Sequence, residues 1–345
     1  AACLGTIADL VPLTGENRVI AAAGLAALAR SRAPGLRALL AEAGLPPGAA
    51  PTSEDVAFRI GPRLNAAGRL DSALLALSLF EERDEERARL AARELSLRNT
   101  QRQSLERRVV AEARQRVERD ASVEGSALIA EADPGWHRGV LGIAASRLAR
   151  EYHRPVLLFG MEGERVSGSG RSIPGVPLHR LMARLRHHFT EFGGHSQAVG
   201  ASLPRAGFEA FRQEARELFH AEIPAETLAP WAEAEAELEL EAVDDALVRE
   251  LARLEPHGAG NPRPTFLASG ARTAMPWSAV GENGLRGRLA GAAGSLRGIA
   301  WNADPGLAEL AAKDVPFEIH YRLAAQRGWG LQVEILAARA RRRCA

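Results

Sequence analysis

The sequence predicts an α/β protein made of parts in series: an N-terminal block, one long connecting helix, an α/β domain and a small β-barrel. Three observations carry this prediction. Apolar strand-like segments alternate with amphipathic helical ones between residues 123 and 222. The run from Arg83 to Arg119 contains neither proline nor glycine, with charges of both signs interspersed. Near the C-terminus, Phe317, Ile319, Tyr321 and Leu323 alternate with Glu318, His320 and Arg322, the period of a half-buried strand.

Residues 1–82 open with an apolar segment, Leu4 to Leu10, expected as a short strand. Alanine- and leucine-rich helices are expected over Asn17–Arg30 and Leu36–Ala43, punctuated by Pro34-Gly35 and Pro46-Pro47-Gly48. Ser53-Glu54-Asp55 has the acidic first turn of a helix start. Residues 83–122 read as one helix of roughly 50 Å, a rigid connector that the polar stretch Leu97–Gln101 could break. In residues 123–222, strands are expected at Ala127–Glu131, Val156–Phe159, Val166–Ser172 and Gly200–Leu203. Helices are expected at Val140–Glu151, Leu178–His188 and Phe208–His220. Pro224 and Pro230 mark a linker. Residues 231–340 then hold a helix at Asp244–Leu254 and two hairpins, one across Gly291–Gly294 and one across Gly328-Trp329-Gly330. Several short strands with one small helix suggest an OB-like barrel.

The chain has 345 residues, 46% of them apolar and 25% charged, a balance that excludes a disordered tail, a collagen-like fibre or a disulfide scaffold. No apolar run approaches the ~20 residues that span a bilayer, and Ala1-Ala2-Cys3-Leu4-Gly5 is not an export signal. Together with only two cysteines, Cys3 and Cys344, this points to the cytoplasm and no membrane. Net charge is +1, so no global field draws in nucleic acid, although 43 of the 44 basic residues are arginine, Lys313 being the exception. That bias and the alanine load fit a GC-rich genome. Arginine nevertheless grips phosphate with a planar fork. The chain opens without methionine, in mid-motif, and is expected to be a fragment.

Four segments concentrate chemistry. Asp9, in Gly5-Thr6-Ile7-Ala8-Asp9-Leu10-Val11-Pro12-Leu13, is either a turn cap or a ligand for a hard cation, which would need further oxygens from elsewhere. Arg59-Ile60-Gly61-Pro62-Arg63-Leu64-Asn65-Ala66-Ala67-Gly68-Arg69 gathers three arginines around small residues, suited to an anionic backbone or to a solvated helix start. Val166-Ser167-Gly168-Ser169-Gly170-Arg171-Ser172 offers bare amides beside an arginine fork, a phosphate cradle without P-loop spacing. Phe192-Gly193-Gly194-His195-Ser196-Gln197-Ala198 is expected as a loop delivering a histidine. A further loop, Asp133-Pro134-Gly135-Trp136-His137-Arg138-Gly139, precedes a helix N-terminus where an anion could sit. There is no HExxH, CxxC or G-x-S-x-G.

In this order the motifs resemble the RecJ family of single-stranded-DNA exonucleases, within the DHH phosphoesterase superfamily. GTIADLVPL resembles the last metal motif of the DHH domain, RIGPRLNAAGRL the arginine motif after it, and WHRGVLGIAASRL, GSGRS and FGGH the DHHA1 domain. Pro256–Phe266, PHGAGNPRPTF, resembles the entry to the family's OB domain. No Asp-His-His string occurs, so residues 1–82 look like the C-terminal remnant of a DHH domain, followed by DHHA1 at 123–222 and the OB-like domain at 231–340. The resemblance implies two Mn²⁺ or Mg²⁺ ions and release of mononucleotides from a 5′ end. It also implies single-stranded DNA as partner, a single-strand-binding protein and a helicase in repair, and a monomer. It assigns Asp9 as metal ligand and catalytic residue. Arg63, Asn65, Arg69, Ser169, Arg171 and His195 become phosphate contacts, with His137 a weaker match; Trp329 is a stacking platform by its place in a Gly-Trp-Gly turn. Two other readings stay open: a DHH/DHHA1 phosphodiesterase on nanoRNA or cyclic dinucleotides, and a non-catalytic single-strand-binding module.

Overall fold

A computed structural model describes residues 1–70, 72–119, 125–281, 284–291, 294–301, 305–313, 315–326 and 330–340. The chain forms two compact units that do not follow chain order. One combines Ala1–Arg30, Ala50–Phe58 and Trp231–Ala345, and the other Ser31–Ala49 with Arg59–Pro230.

The helices before the first strand are α1 (Ala2–Ala8), α2 (Gly15–Leu28), α3 (Pro34–Glu42), α4 (Ser53–Asp55), α5 (Gly61–Leu70), α6 (Leu74–Glu81) and α7 (Glu85–Arg119). Leu4–Leu10 is therefore not a strand. Cys3, Leu4 and Ile7 bury one face of α1. On α2, a Cβ at Gly24 would lie 2.3 Å from that of Cys3, so the two helices meet where α2 has no side chain. A short apolar run is readable at either period, and this close docking decides for the helix. The cap of α4 is Thr52, one residue earlier than the acidic turn suggested. Its hydroxyl accepts from the Asp55 amide (3.1 Å) while the Asp55 carboxylate accepts from the Thr52 amide (2.9 Å).

The second unit is built on α7, 35 residues without a break. Its first half packs on α3, α5 and α6. The polar stretch does not interrupt it, because the buried Arg102 guanidinium donates to Asn99 Oδ1 (3.3 and 3.1 Å) and Glu106 (2.7 Å) one turn to either side. The second half of α7 packs on the α/β sheet's first strand, β1 (Ile129–Asp133), and on α8 (Arg138–Tyr152). The remaining elements are β2 (Val156–Glu162), β3 (Arg165–Arg171), α9 (Leu178–Arg184), β4 (Glu191–His195), β5 (Ala198–Pro204) and α10 (Phe208–Glu222). The sheet order is β1-β2-β3-β5-β4, parallel only between β1 and β2, where α8 makes the crossover. The expected loop Phe192–Ala198 is instead the edge strand β4 and its tight turn into β5. Its glycines carry no alternation, so only the pairing with β5 reveals it. Phe159, Phe208 and Phe211 meet edge to face behind the sheet at 5.5 and 5.7 Å between centroids.

In the first unit, the C-terminal part contributes β6 (Ala236–Glu237), α11 (Asp245–Ala252), β7 (Phe266–Ala271), β8 (Thr273–Val280), β9 (Gly284–Gly291), β10 (Gly294–Ala300), α12 (Pro305–Ala312), β11 (Phe317–Gln326) and β12 (Gly330–Ala340). They form one sheet in the order β6-β7-β11-β12-β10-β9-β8 around a single apolar core. The predicted hairpins are both present. Tyr321 is fully buried with Phe317 and Ile319, and its hydroxyl donates to the Leu238 carbonyl at 2.7 Å. Burial pushes its ionisation well above the usual phenol range. Trp329, the expected stacking platform, lies outside the described residues.

Candidate phosphate and metal sites

Asp9 belongs to the first unit. It is exposed at the C-terminal end of α1, and its backbone amide donates to the Gly5 and Ile7 carbonyls. Leu10 after it has φ +56°, left-handed backbone in a non-glycine residue, with its side chain 70% exposed. The loop is clamped from behind by the PHGAGN segment: the Leu13 amide donates to the Ala259 carbonyl (2.6 Å), and a Cβ at Gly258 would lie 2.7 Å from Leu13 Cδ1. The PHGAGN segment is held in turn by Arg18, which donates to the Leu254 and Glu255 carbonyls (2.7 and 3.1 Å), and by Asn261, which donates to those of Leu254 and Pro256. The motif read as the entry to the barrel is thus also the support of the Asp9 loop. As a metal site Asp9 is incomplete. Among the described residues it belongs to no cluster of three potential metal ligands, whereas a hard cation takes about six oxygens. The residues present do not by themselves fit a two-metal centre.

The predicted phosphate residues all lie in the second unit, and the structure divides them. Arg63 faces α7, its Nε donating to Ser96 Oγ (3.0 Å) and its terminal nitrogen to the Arg59 carbonyl. It braces two helices. Asn65 is exposed. Arg69, at the end of α5, and Arg171, at the end of β3, form the more unusual pair. Neither has a carboxylate within ion-pair distance among the described residues. Burial of the Arg171 guanidinium and the nearby Arg69 charge both lower its pKa. Arg69 is itself pushed down, first by removal of its head group from water, although part of the side chain is exposed, and then by Arg102. Glu106 offsets part of this at Arg69, so two arginines held near other cations, neither in contact with a carboxylate, make a place that suits an anion.

The first two turns of α8 bring them together. A Cβ at Gly139 would lie 2.1 Å from the Arg69 carbonyl oxygen, and one at Gly142 2.9 Å from an Arg171 terminal nitrogen. These two glycines of the WHRGVLG motif, which sequence reading passed over, admit the end of α5 and the Arg171 fork. His137 caps α8: its Nδ1 accepts from the Gly139 amide at 3.1 Å, which leaves Nε2 as the protonated nitrogen of the neutral ring. Gly139→Ala should therefore force α5 from α8 and cost about 1–3 kcal/mol, as overpacked contacts do. Urea denaturation checks it, and an unchanged midpoint would mean that the contact yields freely.

Strand register completes the site. Arg171, Ala198 and His195 stand abreast on β3, β5 and β4, as do Ser169, Gly200 and Gly193, and then Ser167, Ser202 and Glu191. Residues abreast share a face, so the three rows form one polar surface. With Arg138 of α8, the rows of Ser169 and Ser167 line a groove of about 490 Å³. Its far end is neutralised, since Arg165 pairs with Glu191 and donates to Ser202 (3.0 Å). Arg171 and His195 lie abreast in the next row of the same face, beyond the groove's lining. The glycines play unequal parts. Gly168 and Gly170 face the core, where a Cβ would strike Phe159 and Leu157 at 2.3 and 2.4 Å, so packing and not phosphate approach requires them. Gly193 and Gly200 face open space and keep the groove floor bare. Ser202 lies in none of the motifs read from the sequence, and only the register places it beside Ser167.

The fold and the arginine centre define a class of protein, a DHHA1 domain followed by an OB domain. The family models agree: the DHHA1 domain matches residues 124–221 and the RecJ OB domain residues 234–332. The chain is 37% identical over 317 residues, 87% of its length, to the single-stranded-DNA-specific exonuclease RecJ of Dickeya dadantii. It is 38% identical over 273 residues to that of Thermus thermophilus. The crystal structure of the Thermus RecJ in complex with Mg²⁺ superposes with a TM-score of 0.81 over 99% of this chain and 52% of that one, at 31% identity. The chain belongs to the RecJ family. It spans about half the length of the curated relatives it matches, 54% in the Dickeya protein.

Proposed function

We propose that this chain is the substrate-holding part of a RecJ-type 5′→3′ exonuclease that hydrolyses single-stranded DNA to mononucleotides in repair and recombination. The observation that carries the reading is the Arg69–Arg171 pair, placed beside the capped N-terminus of α8 with no carboxylate in ion-pair contact among the described residues. It suits a strand phosphate, held by a bidentate fork. Ser169, His195 and His137 border the same anion, and Asp9 supplies one carboxylate to a centre holding Mn²⁺ or Mg²⁺. Among the described residues no second and third ligand joins it, so the remaining ligands are sought elsewhere. This chain alone should therefore show no nuclease activity, and Mn²⁺-dependent release of mononucleotides by the purified protein would overturn the assignment. The match of residues 234–332 to the RecJ OB domain disfavours a small phosphodiesterase acting on nanoRNA or cyclic dinucleotides. A cytoplasmic monomer that works with a single-strand-binding protein and a helicase belongs to the same reading.

The barrel's part is to hold the strand. Arg286, Arg288 and Arg297 share the face of β9 and β10 turned away from the core. Arg288 already donates to Ser295 (2.6 and 2.9 Å) and Arg322 to Glu334 (2.8 Å twice), so both must give up partners to contact phosphate. Trp277 is packed against the core, and Trp301 is 53% exposed. The purified chain should bind a fluorescent oligonucleotide with a salt slope near −0.7 per phosphate contacted. Trp301→Ala or Trp329→Ala should each lower affinity about tenfold if that ring stacks a base. No binding at low salt would reduce the barrel to a brace.

A further inference from the structure

Away from the groove, His187 and His188 sit on a 3₁₀ turn, Arg186–His188, between α9 and β4, and face Glu214 on α10. The Nε2 atoms of His187 and His188 lie 3.1 and 2.8 Å from the same Glu214 oxygen. All three potential ligand atoms fall within 4.8 Å of one another, and among the described residues this is the grouping with that property. The imidazole rings are 4.2 Å apart between centroids and tilted by 39°, so both edges converge on one point without stacking flat. We propose that His187, His188 and Glu214 bind a divalent transition-metal ion of the zinc type, separate from the ions implied at Asp9.

Three lines of physical reasoning lead there. Tetrahedral zinc has ligand bonds of about 2.0–2.2 Å, which set neighbouring ligand atoms roughly 3.3 Å apart. The two histidine-to-glutamate spacings reach this with shifts of a few tenths of an ångström. The donor set also fits: two imidazoles and a carboxylate select zinc over the hard cations that prefer oxygen alone. Finally, the site is half prepared. His188 is only 14% exposed at its side chain and packs edge-on against Phe211 at 5.8 Å, while His187 and Glu214 reach solvent and leave a side open for entry and for water as fourth ligand. A bound ion would tie the turn to α10 just before β4, the strand whose Glu191 and Gly193 line the groove.

The test uses the purified chain stripped of metal. Zn²⁺ is titrated in competition with a chromogenic chelator, and Co²⁺ is added separately to record its visible ligand-field bands. One equivalent should bind, with the intense bands of four-coordinate Co²⁺, and Zn²⁺ should raise the melting temperature. His187→Ala and Glu214→Gln should each weaken binding by about tenfold or more, since even outer-shell partners cost ~10–100-fold. Both residues are exposed, so neither variant should unfold the chain, and a far-UV spectrum confirms this. Asp9→Ala should leave the titration unchanged, which separates this site from the one proposed at Asp9. Absence of stoichiometric binding, or binding by both variants as tight as by the unsubstituted chain, would overturn the proposal and leave a hydrogen-bonded surface triad.

Discussion

Asp9→Ala should reduce turnover of the complete exonuclease to background while this chain binds single strands as before. Loss of an outer-shell partner of a metal costs ~10–100-fold, so loss of a direct ligand should cost more. The fold gives no reason for a stability penalty. Asp9 is exposed, and its side chain caps nothing in α1. An acidic group at a helix C-terminus is on the unfavourable end of the dipole, worth a few tenths of a kcal/mol at about this exposure, so alanine should leave the fold as stable or slightly more so. A carboxylate kept where it does not help folding, beside the left-handed Leu10, is better explained by chemistry. The measurements are nucleotide release and oligonucleotide affinity, side by side, with a melting curve. Normal turnover by the variant would remove Asp9 from the metal centre.

Arg171→Ala should weaken binding and use of 5′-phosphorylated strands by roughly 10–100-fold, about the 1.5–3 kcal/mol of a charge-assisted hydrogen bond. Its folding stability should stay level or rise, because the substitution removes a guanidinium disfavoured by burial and by Arg69. A structural arginine would behave in the opposite way. Arg171→Lys should restore only part of the affinity, since an ammonium lacks the fork. Gly142 gives the guanidinium its space against α8, so the fork's orientation depends on that glycine as well. Affinity for phosphorylated and unphosphorylated 5′ ends, each measured against thermal stability, tests this. Equal losses on both, accompanied by a falling melting temperature, would make Arg171 a structural brace.

Period and punctuation carried far in this chain. The alternation of Phe317, Ile319, Tyr321 and Leu323 specified a strand and its buried face, and Tyr321 is indeed in the core. The proline- and glycine-free run after Arg83 specified α7 to within two residues at its start. The motif order from Asp9 to Phe266 was enough to identify the family, because motifs are local strings and survive without knowledge of contacts. Two segments were read as the wrong kind of element. Leu4–Leu10 is too short for its period to be decisive, and Gly193-Gly194 carries no hydrophobic pattern at all.

What the sequence alone determined was thus composition, element types where the period is sustained, and the identity of the residues that bear charge. The tertiary structure decided which of them act together. Arg63 and Arg69 belong to one motif, yet one braces α7 and the other faces Arg171, about 100 residues away along the chain. Gly168, Gly170, Gly193 and Gly200 are the same residue type, yet two make room for the core and two for the groove. The physical reason is that charge repulsion, close approach and strand register are properties of pairs. A pair distant in sequence leaves no signature in either of its members, and only folding brings its two halves within reach of each other.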